Sequence, residues 1–236
     1  EVCVDSAAGL AAAVAGGADR IELCSALVVG GLTPSAGLMA IAASSPCPTR
    51  AMIRPRAGTF VYSSAELDVM RRDIDAARAA GLAGIVIGAS HHSGSPDAEV
   101  LAMLVRHASG MQVALHRAVD LAPDLLAALE LAMALGVDTV QTSGGRATAL
   151  EGAANIAALQ ARAGTSVELL AAAGIRPENV LRLIAQSGVK AVHGSCSTPS
   201  PQADKRAVDF GFAPAAARDT DLATVRRMKA TLAQLS

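Results

Sequence analysis

Short β-branched apolar runs alternate along the chain with longer stretches whose apolar residues recur every three and four positions. The short runs predict strands at Glu1–Val4, Arg20–Leu23, Ala51–Arg54, Gly84–Ile87, Gln112–Leu115, Thr139–Thr142, Glu168–Ala171 and Ala191–His193. The longer stretches predict helices. In Ala65–Ala80, for instance, Leu67, Met70, Ile74 and Ala77 share one face, with Arg71, Arg72 and Asp75 off it. Glycine marks the joints: Gly17, Gly81, Gly136 and Gly188 stand in AGGADRI, AAGLAGI, ALGVDTV and QSGVKAV, each where a helical stretch gives way to a strand. A left-handed glycine closes a helix, so each string reads as helix, cap and strand, the unit of a parallel sheet. Eight such units in 236 residues, about 29 residues apiece, predict one (β/α)8 barrel domain spanning 1–236. An open doubly wound sheet is the alternative, but no GxGxxG follows the first strand. A terminal helix is expected over Asp221–Leu235.

Composition narrows the function classes. With 52% hydrophobic and 17% charged residues, the chain can bury a core. A net charge of -1 and 2% aromatic residues supply neither the basic surface nor the stacking platforms of a nucleic-acid binder. No apolar run is long enough to cross a bilayer. The Ala-rich stretch near the start follows Glu1 and Asp5 rather than a basic segment, so it reads as strand and helix and not as a leader. Cys3, Cys24, Cys47 and Cys196 form no CxxC pair, which predicts reduced thiols and a cytoplasmic location.

The chemistry of a barrel gathers at the C-terminal ends of its strands. Here those ends carry Cys3, Glu22 with Cys24, Arg54, His116 with Arg117 and Asp120, and His193. Side chains alternate along a strand, so Glu1 and Cys3 share a face, as do Glu22 and Cys24. With those faces inward, the two sulfurs lie side by side and Val2, Val4, Ile21 and Leu23 lie under the helices. A carboxylate inside a barrel must be paired or protonated, and Arg54 on the next strand is the expected partner of Glu22. A histidine near a carboxylate suits general acid–base work. Glu22, Arg54, His116, Arg117, Asp120 and His193 are therefore the expected catalytic set. The Gly-rich loops TSGG, AAGIRPEN and HGSCS suit an anion, with Ser143, Gly144, Gly174, Gly194 and Ser195 as its expected seat. The neighbours His91 and His92 read as exposed loop residues, and Cys47 as a structural thiol at the opposite end of the barrel.

Seven strings carry a wider likeness: EVCVDS (Glu1–Ser6), GGADRIELCSAL (Gly16–Leu27), GGLTPS (Gly30–Ser35), IRPRAGTFVYS (Ile53–Ser63), HRAVD (His116–Asp120), TSGG (Thr142–Gly145) and AVHGS (Ala191–Ser195). Together they resemble the CutC family of copper homeostasis proteins, over almost the whole chain. The resemblance implies a TIM-type barrel, a cytoplasmic location and self-association as a homodimer or homotetramer. It also implies Cu(I) as the bound metal, with two cysteine ligands that map onto Cys3 and Cys24; soft thiolates favour Cu(I). Val119 stands in HRAVD where the family usually has Phe. Two readings stay open. One is a copper-binding protein whose partner is the metal ion. The alternative is an uncharacterised barrel enzyme acting on a small anionic or phosphorylated metabolite, with Glu22 or His116 moving a proton and Arg54 and Arg117 holding charge.

Overall fold

In the computed structural model, residues 1–200, 204–214 and 216–235 are described. Eight strands pair in parallel and in chain order: β1 (Val2–Val4), β2 (Ile21–Leu23), β3 (Thr49–Met52), β4 (Gly84–Ile87), β5 (Gln112–Leu115), β6 (Thr139–Thr142), β7 (Glu168–Ala171) and β8 (Ala191–Val192). The sheet closes through the residues just beyond β8. Val2 bridges Gly194 in parallel, the Cys3 N–H donates to the Gly194 carbonyl and the Gly194 N–H to that of Glu1, both at 3.2 Å. Seven helices lie between successive strands: α1 (Ala7–Ala15), α2 (Ala36–Ala43), α3 (Ser64–Ala80), α4 (Ala98–His107), α5 (Leu125–Ala134), α6 (Ala153–Ala163) and α7 (Val180–Ser187). This is the (β/α)8 barrel that the apolar pattern predicts.

The strand–helix alternation works as its sequence signals require. The Ser63 side chain and Glu66 cap each other's backbone at the start of α3, and Met70, Ile74 and Ala77 form its buried stripe. Gly81 ends that helix at φ 83, a left-handed conformation that returns the chain to β4. Strands β4 to β7 keep the bounds read from the sequence. β3 starts two residues earlier than expected, because Thr49 pairs with Ile21 at its foot, while the Arg54 N–H has already turned to the Thr33 hydroxyl at 3.0 Å.

Two packed layers result. Val2, Val4, Ile21 and Leu23 join helix residues such as Leu10, Met39 and Met70 in the main core between sheet and helices. Cys24, Met52, Val86 and Ala114 form a separate, smaller apolar cluster. The register places Cys3, Glu22, Arg50, Gly84 and Gln112 as successive neighbours across β1 to β5. Since β-strand side chains alternate, this row occupies the barrel interior, the parity expected for the Glu–Cys pairs.

After β8 the chain departs from the simple pattern. β9 (Ser197–Pro199) pairs antiparallel with β10 (Arg218–Thr220), α8 (Lys205–Asp209) lies between them, and α9 (Leu222–Leu232) follows. The expected terminal helix thus begins with Asp221 as its N-cap and ends in a short 3-10 turn, Ala233–Leu235. No described helix is long and apolar enough to cross a membrane.

Candidate functional site: a histidine between two carboxylates under an arginine-lined cavity

The deepest part of the barrel is ionic. Glu1, whose side chain is fully buried, receives the Arg20 guanidinium at 2.5 Å, and Arg20 also reaches Glu168 at 2.7 Å. Arg50 is buried on the inward row and donates to Gln112 Oε1 at 3.1 and 3.0 Å and to the Thr139 hydroxyl at 2.8 Å. Buried charges survive only when paired and hydrogen-bonded in this way.

His193 stands above this layer. Its Nδ1 lies 2.7 Å from Glu1 Oε1 and its Nε2 3.6 Å from Glu22 Oε2. Burial alone would favour the neutral ring. Cys3, Glu22 and Glu1 outweigh it and push the imidazole well above its ordinary value of 6.5. Burial likewise pushes the Glu1 carboxyl up, but the hydrogen bond and charge of His193, with Arg20, hold it down at about 2. For Glu22 the balance goes the other way. Burial and the Glu1 charge raise it, against His193 and the Gln141 amide, which donates to Glu22 Oε1 at 2.5 Å.

Cys3, Glu22 and His193 each offer a donor atom, and the three atoms lie within 4.8 Å of one another. The set combines a thiol, an imidazole and a carboxylate, which suits a transition metal ion. Glu1 fixes the far side of the histidine ring, as a carboxylate commonly does behind a metal-binding histidine. Cys24 lies beside this triad, its Sγ 3.8 Å from Glu22 Oε2. Burial first, and then the Glu22 charge, push the Cys24 thiol well above its ordinary value of 9.0.

The remaining expected site residues divide into two groups. Arg54 does not pair with Glu22. Its guanidinium donates to the carbonyls of Val29, Gly31 and Gly58 at 2.8, 3.0 and 3.1 Å. The register explains the difference: Glu22 neighbours Arg50, and Arg54 stands four residues further up the chain. His116 is buried against Phe60, ring centroids 4.9 Å apart, and burial lowers its pKa to about 3, helped by the Arg54 charge. A Cβ on Gly88 would lie 2.2 Å from His116 Cε1, so glycine there makes room for the ring.

Asp120 is not an orienting partner for His116. It accepts from Arg117 Nε at 2.9 Å, the Thr142 hydroxyl at 2.6 Å, the Ser143 N–H at 2.9 Å and the Gly145 N–H at 3.0 Å. The loop after β6, expected to seat an anion, is therefore committed to an internal carboxylate. Ser143 is fully buried, and the Gly144 N–H donates to the Thr142 hydroxyl. The Gly194 N–H is spent on barrel closure, and the Ser195 hydroxyl meets that of Ser197 at 2.9 Å. Gly174, Gly194 and Ser195 do line the cavity over the triad; Ser143 and Gly144 do not. Cys47 sits at the opposite end with its Sγ on the Ala18 carbonyl, and His91 and His92 are exposed.

That cavity, of about 940 Å³, opens over Cys3, Glu22 and His193 and is walled by Arg54, His116, Arg117, Arg176, Arg218 and Arg227. Gln141, Arg218 and Arg227 were not anticipated. Gln141 was within reach of the alternation rule, two residues before Ser143 on β6. Arg218 arrives through the β9–β10 ribbon, which no local signal announces, and Arg227 on the expected terminal helix, whose seat at the cavity the sequence does not disclose.

The sequence model of the CutC family matches residues 1–198. A CutC family protein of Sinorhizobium medicae is 53% identical over 236 residues, covering 100% of this chain and 96% of the relative. This chain belongs to the CutC family. A second CutC family protein, from Caulobacter vibrioides, is 52% identical over 227 residues, 95% of this chain and 93% of its own. The solved structure of CutC from Streptococcus agalactiae, whose name carries a copper homeostasis role, superposes with a TM-score of 0.78. It is 29% identical and covers 82% of this chain and 96% of its own. The sequence resemblance and the barrel geometry thus agree on the same CutC family fold.

Proposed function

We propose that this chain is a copper homeostasis protein that holds Cu(I) on the floor of the barrel cavity, with the Cys3 thiolate and His193 as ligands. Glu22 closes the third side, and Cys24 supplies a second thiolate once its proton is displaced. The observation that carries the reading is the convergence of Cys3, Glu22 and His193 donor atoms within 4.8 Å. The likeness to a CutC protein named for copper homeostasis supports it. All four cysteines are free and buried, which suits a reducing compartment such as the cytoplasm. Sulfur and imidazole donors are soft enough for Cu(I), and Glu1 keeps the histidine oriented without occupying the ligand face.

Titration of the reduced protein with Cu(I) against a chromophoric chelator tests this. Cys3→Ser and His193→Gln are expected to weaken binding by roughly 10–100-fold, the range seen on disturbing metal-site partners. Cys24→Ser is expected to weaken it less. A Cys3→Ser, Cys24→Ser double variant that competes as well as the unaltered protein ends the proposal.

A further inference from the structure

The cavity above the triad carries more positive charge than a cation on its floor calls for. Five arginines line it, against the carboxylates of Glu22, Asp120 and Glu178. Asp120 is occupied by Arg117 at 2.9 Å and Glu178 by Arg227 at 3.0 Å. Glu22 is answered by His193 and Gln141. Arg54, Arg176 and Arg218 are left without a carboxylate among the described residues. Arg54 is spent on carbonyls, Arg218 on Ser197 at 3.1 Å, and the Arg176 side chain makes no hydrogen bond or ion pair there.

A second, independent observation fixes the polarity of what is missing. Arg54 Nε, His116 Nε2 and the Tyr62 hydroxyl are buried and have no hydrogen-bond partner, and of these residues Arg54 and His116 line the cavity. His116 Nδ1 accepts the Ala118 N–H at 3.1 Å, so the neutral ring carries its hydrogen on Nε2. Both unmatched groups on the cavity wall are therefore donors, and leaving buried donors unmatched is costly. A ligand that satisfies them must bring acceptors, and the three unanswered arginines require that it bring negative charge. A volume of about 940 Å³ suits an organic molecule rather than a bare ion.

We propose that the cavity binds a small organic anion, a phosphate monoester or a carboxylate. Arg54 and His116 receive its charged head, and Arg176 and Arg218 draw it in at the mouth. This site is separate in chemistry from the copper reading and stands without it. Asp120, Ser143 and Gly144 take no part, since their groups are already matched.

Calorimetry and thermal denaturation of the metal-free, reduced protein test the proposal with two probes, glycerol 3-phosphate and citrate. Glycerol and sodium chloride at matched ionic strength serve as controls. Saturable binding with a raised Tm is expected for at least one anion and for neither control, and the better probe tells phosphate from carboxylate. Arg176→Ala, an exposed change that leaves the core intact, is expected to weaken binding about tenfold or more, as loss of a charge-assisted contact does. His116→Ala is expected to do the same. Cys3→Ser should bind the anion as the unaltered protein does, so loss of copper binding and loss of anion binding can be told apart. Absence of saturable binding by both anions, or unchanged affinity in the Arg176→Ala protein, overturns the proposal.

Discussion

His193 Nδ1 meets Glu1 Oε1 at 2.7 Å, although 192 residues separate them along the chain. Only closure of the barrel makes them neighbours, so this contact reports directly on whether the last strand has docked against the first. Both groups are buried, Glu1 between His193 and Arg20 and His193 between Glu1 and Glu22. Glu1→Gln is expected to cost about 3–5 kcal/mol, the usual penalty for breaking a buried ion pair from one side. Chemical denaturation of the two proteins at neutral pH checks it.

The same pair sets the pH dependence of the metal-free protein. The Glu1 carboxyl is held down at about 2, so its contribution is complete above its ordinary value of 4.5 and fades as pH falls towards 2. The His193 imidazole is held well above 6.5, so its contribution is complete below 6.5 and is lost as pH rises through the folded value. The expected stability curve falls on both sides of the window from 4.5 to 6.5. Denaturant midpoints measured across pH should show a smaller alkaline fall in His193→Gln, the remainder coming from the raised Glu22 carboxyl and buried thiols.

This contact also marks what the sequence could and could not disclose. Alternation along β1 and β2 is a local rule: it grouped Glu1 with Cys3 and Glu22 with Cys24 on one face and Val2, Val4, Ile21 and Leu23 on the other, and the register and core put the first face inward. The partner of Glu22 was not local. Gln141 and His193 reach it from β6 and from beyond β8 across the closed barrel, a relation that closure and strand register set and residue spacing does not. Asp120 misled for a related reason. Its position beside His116 in sequence suggested a pair, yet its short side chain found the backbone of the next loop first. Arg218 on the β9–β10 ribbon had no periodic signal to betray it, and for Arg227 the terminal helix was legible but its place over the cavity was not.

Asp120 should prove structural. Its carboxylate gathers donors from Arg117, Thr142, Ser143 and Gly145. Asp120→Ala is expected to destabilise the protein by about 2–4 kcal/mol, more than one hydrogen bond to a charged group is worth, because several buried donors lose their acceptor together. Hydrogen exchange should speed up at the amides of Ser143 and Gly145 while the α3 amides keep their protection. Unchanged exchange in the β6 loop would refute this role.

Gly88 should tolerate nothing larger. The 2.2 Å approach of a Cβ to His116 Cε1 forces the ring to leave its place against Phe60 on the cavity wall. Gly88→Ala is expected to cost about 1–3 kcal/mol, as overpacking does. It should also weaken anion binding, because the displaced ring takes its Nε2 donor with it. Calorimetry and a melting curve on one preparation give both readouts. A stable variant with native anion affinity would show that the ring has another position open to it.

The thiols offer the sharpest link between burial and the copper reading. Burial and the Glu22 charge raise Cys24, burial and the Asp19 charge raise Cys47, and burial raises Cys196, so each holds little thiolate in the folded protein. Alkylation at pH 8 needs thiolate, and each unit of raised pKa removes about tenfold of it. Native labelling is therefore expected to run at least an order of magnitude slower than labelling of the unfolded chain. Cys47, with its Sγ on the Ala18 carbonyl at the far end of the barrel, serves as an internal reference. Cu(I) should slow Cys3 and Cys24 further and leave Cys47 unchanged, as peptide mapping of the alkylated sites would show. Equal protection of Cys47 would mean that the metal tightens the whole fold rather than occupying the floor of the cavity.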